Sequence, residues 1–117
     1  MTKIIDRESA KNLIDEYRQQ NAADGGPALK TPAGQNLNGF FIDRQSLETI
    51  LSNPKAMGLS LHLAKHPDFA GAPGNYFTAF LAGAEPNTAA NATTPYVNTG
   101  DIYGNLPPCP PDCGTIG

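Results

Sequence analysis

The chain has 117 residues, with 8 basic and 11 acidic side chains and a formal net charge of −3. That length suits a single domain, and the acidic balance argues against a nucleic-acid binder, which carries a basic face. No run approaches the roughly 20 apolar residues of a membrane-spanning helix, and Met1 to Asp6 turns charged before an apolar segment forms, so no secretory signal and a cytoplasmic location are expected.

The first predicted element is a helix over residues 6–22. Ala10, Leu13, Ile14 and Tyr17 recur at i, i+3, i+4 and i+7, the spacing of one helical face. Asp6 is the expected N-cap, three residues ahead of Ser9. Asp24-Gly25-Gly26-Pro27 stops the helix, because Gly accepts the left-handed cap and Pro cannot extend it. A polar connector follows to residue 38, with a turn at Thr31-Pro32-Ala33-Gly34.

Gly39 to Ile42 is a short apolar run that reads as a buried strand. Asp43 then caps a second helix over 44–53, with Leu47, Ile50 and Leu51 as its apolar stripe and Asn53-Pro54 as its stop. In the stretch 58–65, Leu59, Leu61 and Leu63 alternate with Ser60, His62 and Ala64, the period of a strand. A turn-rich loop leads to another strand over 75–83. Its large apolar residues point both ways, so it should be central or covered on both faces. The expected fold is α+β: two helices on a small three-stranded, largely antiparallel sheet, with strands 39–42, 58–65 and 75–83. The expected core is Leu13, Ile14, Tyr17, Phe41, Leu47, Ile50, Leu51, Leu61, Phe77 and Leu81.

The composition changes near residue 85. All 8 Lys and Arg lie within residues 1–65, and six of the eleven prolines follow Glu85. The chain therefore divides into a body, 1–84, and a Pro/Asn/Gly-rich tail, 85–117, expected to be irregular and ordered by docking. The tail has six large apolar residues: Tyr96, Val97, Ile102, Tyr103, Leu106 and Ile116. Aromatic and aliphatic anchors spaced through a polar background form a docking strip. Tyr96, Val97, Ile102, Tyr103 and Leu106 are accordingly the candidate interaction residues, on the chain's own body or on a neighbouring subunit.

Cys109 and Cys113 lie among Pro107, Pro108, Pro110 and Pro111, which favour an extended, stiff backbone. The pair admits a disulfide or a soft metal. Joined to His62 and His66, which share its three-residue gap, it would make a Cys2His2 zinc set. With no export signal in view, the default expectation is two thiols and no bound cofactor. Proline on both sides of Cys109 excludes the helix N-terminus that a thioredoxin-type site requires. Ser60 and His62 with Asp43 or Asp68 would supply hydrolase residue types, but no Gly-x-Ser-x-Gly elbow accompanies them.

The N-terminal helix at 6–22, the strand hairpin at 58–83 and the Cys109-Pro110-Pro111-Asp112-Cys113 end together resemble the layout of a group of small bacterial proteins. That resemblance brings no established activity, so it assigns no role to any residue. The reading that follows is a non-enzymatic protein-protein interaction or self-assembly protein, a homo-oligomer with no nucleic-acid or membrane partner. The alternative is a small metal-binding or redox-responsive protein using the cysteine pair.

Overall fold

The computed structural model describes residues 2–111, 113 and 114. Ile116, one of the tail's apolar residues, and Asp112 within the Cys-Pro-Pro-x-Cys string lie outside them. The elements in order are α1 (Arg7–Ala22), β1 (Gly39–Phe40), α2 (Arg44–Leu51), β2 (Gly58–Lys65), β3 (Phe77–Pro86), β4 (Tyr96–Tyr103) and β5 (Pro108–Cys109). A single turn of 3-10 helix, Pro67–Phe69, follows β2. The architecture is α+β, as the alternation of periods predicts.

Both helices start where a carboxylate can satisfy free backbone donors. The Ser9 N–H donates to Asp6 Oδ2 at 3.0 Å, and the Ser46 N–H donates to Asp43 Oδ2 at 3.0 Å. These bonds favour the ionised form and hold both carboxyls below the ordinary aspartate range. The backbone donor is the larger cause at Asp6, and the Ser46 hydroxyl is the larger at Asp43.

The main sheet has the order β2-β3-β4, antiparallel throughout. β2 and β3 pair without interruption from Gly58↔Ala84 to Lys65↔Phe77. β3 is the central strand, as its two-sided apolar pattern requires.

The third strand of this sheet is β4, where the sequence predicted 39–42. The tail supplies it: Tyr96–Tyr103 pairs with β3 from Pro86↔Tyr96 to Leu81↔Tyr103. The tail also supplies β5, whose Pro108 and Cys109 pair with Phe40 and Gly39 of β1 in a separate two-stranded sheet. The expectation of an irregular tail is corrected accordingly. The physical reason is the open edge of β3, whose backbone groups need partners that local sequence cannot provide.

The core lies on one face of the main sheet. Ile50, Ala79, Leu81 and Leu106 are buried together, with Phe40, Ile42, Leu59 and Tyr103 packed around them. Gly83 lets α2 approach closely, since a Cβ there would lie 3.4 Å from the Ile50 side chain. Of the expected core, Leu81 and Ile50 are buried, and Ile14, Leu47 and Phe77 are half-buried. Leu13, Tyr17, Phe41, Leu51 and Leu61 are exposed. The cause is the way the helices dock.

α1 is fastened near its C-terminal end by polar contacts rather than by an apolar stripe. Asn21, 1% exposed, donates to the carbonyls of Leu29 and Leu37 and accepts from the Leu29 N–H at 2.8 Å. The Tyr17 hydroxyl donates to the Leu37 carbonyl at 2.9 Å. α2 has only eight residues and turns Ile50 to the sheet, leaving Leu51 on its outer side.

Candidate interaction surface

The two faces of the main sheet differ in cover. Residues directly opposite one another in a ladder share a face, so Leu59, Leu61, Leu63, Ala79, Leu81 and Tyr103 lie on the α2 side. The other side carries Ser60, His62, Phe80, Ala82, Ala84 and Asn98.

On this second side the alanines of β3 leave room for a side chain to span the sheet. Asn98 of β4 uses that room. Its Nδ2 donates to Ser60 Oγ at 2.9 Å and to the Gly83 carbonyl at 3.2 Å. Its Oδ1 lies 2.7 Å from His62 Nε2. An amide oxygen only accepts, so this bond places the proton on His62 Nε2. Ser60 and His62 are thus each engaged by Asn98. Asp43 serves as the α2 cap, and Asp68 lies 3.9 Å from His66, not beside His62. The hydrolase residues are therefore not arranged as a nucleophile, base and orienting acid.

The zinc set is not assembled either. His62 is tied to Asn98, and His66 Nδ1 accepts from the Asp68 N–H at 3.1 Å, capping the 3-10 turn. Among the described residues, no three His, Cys, Asp or Glu side chains gather as a ligand group. Cys109 and Cys113 lie as a pair with Cα atoms 5.3 Å apart, a separation that a disulfide spans. This pair lies beside α1, where Lys11, Ile14, Asp15, Arg18 and Asn38 line a cavity of about 410 Å³ with the two cysteines.

The tail residues divide into two groups. Leu106 is buried and Tyr103 packs against the core, so these two anchor the tail to its own body. Tyr96, Val97 and Ile102 are exposed. They reach no comparable burial, because β4 is an edge strand and α2 covers only one face.

A second exposed apolar feature at a backbone edge is on β2. Leu61 is 44% exposed and Leu63 is 74% exposed, although both project from the core side of the sheet. Leu63 adjoins an open groove of about 320 Å³, lined also by Leu29, Leu37 and Phe77. α2 covers the β3 end of this face, at Gly83, and leaves these leucines bare. Sequence reading assigned Leu61 to the core, because alternation identifies a strand's faces but not how far a short helix extends over them.

Among the described residues, no helix is long and apolar enough to cross a membrane. Comparison with protein-family models, curated proteins and solved structures yields no match to this chain.

Proposed function

We propose that this chain is a non-enzymatic protein-protein interaction or self-assembly protein that acts through the β2 edge of its sheet. One observation carries the reading: two adjacent core-side leucines, Leu61 and Leu63, stand exposed on a strand that has a neighbour on one side only. An edge strand with apolar side chains is a ready template for another chain. The exposed Tyr96, Val97 and Ile102 lie on the opposite edge of the sheet, apart from this surface.

The engagement of Ser60 and His62 by one asparagine supports a structural use of these polar residues. The redox-responsive alternative rests on the Cys109–Cys113 pair, whose Cys109 lies in the strand that pairs with β1. It places the response in the small sheet, away from the β2 edge.

Size-exclusion chromatography with light scattering tests the reading, run with and without reductant and chelator. The expected result is a mass above the 12.3 kDa of one chain that neither additive changes. A single-chain mass at every concentration, with no protein partner captured, overturns it. An assembly that dissociates only in reductant favours the redox alternative.

A further inference from the structure

The geometry points to a specific partner for the β2 edge: a second copy of this chain, paired antiparallel with it about Leu61 so that two sheets become one of six strands. The inference rests on the interaction reading above and names the partner and the register.

Backbone direction is the first support. The His66 N–H donates to the Tyr76 carbonyl across the hairpin, at 2.9 Å. Hydrogen-bonded residues alternate along an antiparallel ladder. Ala64, His62 and Ser60 therefore direct their backbone groups to β3, and Leu59, Leu61 and Leu63 direct theirs outward. Among the described residues no neighbouring strand meets them.

The second support is side-chain self-complementarity. A two-fold axis normal to the sheet keeps the leucine face on one side in both copies. With Leu61 opposite Leu61 of the second copy, Leu59 falls opposite Leu63 and Leu63 opposite Leu59. All three are hydrogen-bonding positions, and each such pair exchanges two bonds, giving about six in all. The three central cross-strand pairs on that face are then Leu against Leu, which favours packing, and Lys65 falls opposite Met57. The exposed Leu63 and its adjoining groove gain cover in the same step.

The third support is charge. No charged residue lies between Gly58 and Ala64, so no like charges meet along the new ladder. Lys65 lies beyond the leucine pairs rather than opposite itself. A formal charge of −3 per chain adds little repulsion between copies. Apart from Lys65 at its end, the strand carries nothing that would select a charged peptide instead.

The other edge of the sheet is poorly suited to the same use. Opposite the Ala82/Gly83 step of β3, β4 shifts register, with Gly100 at φ +76° and Asp101 as the inserted residues. Bulges and charges of this kind blunt an edge against pairing. β2 is regular over its eight residues and has no proline.

The test uses the full chain with Leu61→Cys. In a hydrogen-bonded pair at the two-fold axis the Cα atoms lie about 5.5 Å apart, within the range a disulfide spans. Mild oxidation should convert most of this variant to a covalent dimer on non-reducing gels. His62→Cys, which reads the neighbouring register, and Leu13→Cys, on the exposed face of α1, should remain largely uncrosslinked. Light scattering of the unmodified protein should give about 25 kDa, twice 12.3 kDa. Leu63→Lys, at a position exposed enough to leave the fold intact by circular dichroism, should restore the single-chain mass. A wild-type assembly in which Leu61→Cys fails to crosslink and Leu63→Lys has no effect overturns this pairing and leaves the interaction reading standing. Equal crosslinking by Leu13→Cys also overturns the pairing, as random collision. A wild-type monomer that binds no other protein overturns both the pairing and the reading beneath it.

Discussion

Asn98 on β4 reaches His62 on β2 across the full width of the central strand, with Oδ1 and Nε2 2.7 Å apart. Two strands that share no backbone hydrogen bond are thereby linked through one side chain. The link exists because Ala82 and Ala84 on β3 carry only a methyl group on that face.

Replacing Asn98 with Ala removes its bonds to His62, Ser60 and the Gly83 carbonyl. The Gly83 carbonyl and the Ser60 hydroxyl then lose a donor, so the expected cost is about 1–3 kcal/mol. Urea melts of Asn98→Ala, His62→Ala and the double variant provide the check. A double variant whose loss equals the sum of the two singles would show that the pair is not coupled.

The two leucines Leu81 and Leu51 should respond very differently to truncation. Leu81 is fully buried, and Leu81→Ala should cost about 2–5 kcal/mol. Leu51 is 51% exposed on the outer side of α2, so Leu51→Ala should cost less than about 1 kcal/mol. Periodicity alone assigns both the larger value. Urea midpoints for the two variants therefore discriminate between the docked helix and an idealised amphipathic one.

Acid should weaken the contact between β4 and the end of α2. Glu85 accepts from the Thr99 hydroxyl and from Asn53 Nδ2 at 3.0 Å. The Thr99 bond is the larger cause that holds its carboxyl below the ordinary glutamate range, followed by the Asn53 bond, with the nearby Lys55 charge adding to it. A lowered folded pKa means that the unfolded chain takes up the proton first. The stabilisation is therefore complete above the ordinary glutamate range and is lost as pH falls through the lower folded value. Glu85→Gln should flatten the acid limb of the stability profile, and the remaining slope comes from groups such as Asp6 and Asp43. An unchanged slope in denaturant melts across that range would show that Glu85 is not one of the linked groups.

Removing the tail should do more than release a strap. Deletion of residues 85–117 takes away β4, Leu106 and the partner of β1. It leaves the central strand β3 with one bare edge and the core without one of its buried members. Loss of cooperative unfolding is expected, seen as a broad or absent urea transition. Reduction of a Cys109–Cys113 disulfide would be a much milder change, since so short a loop constrains the unfolded chain by only about 2 kcal/mol. A truncated chain with the stability of the full protein would contradict the assigned role of β4.

The sequence by itself determined the features that depend on near neighbours. The Asp6 and Asp43 caps act over three residues, and the alternation from Leu59 to Leu63 announces its own strand. The central position of β3 was also legible, because its large residues point both ways. β4 was not. Tyr96-Val97-Asn98-Thr99-Gly100-Asp101-Ile102-Tyr103 carries residues that favour turns, and only the open edge of β3 makes it a strand. β5, two residues bounded by prolines, is likewise defined by its partner in β1. The tertiary structure alone decided which apolar residues stay in water. Leu61 and Leu81 lie opposite each other and on the same face. They part because α2 is short and seats Ile50 over β3, leaving β2 uncovered. The candidate surface at Leu61 and Leu63 is thus a product of helix length and docking, which no local pattern encodes.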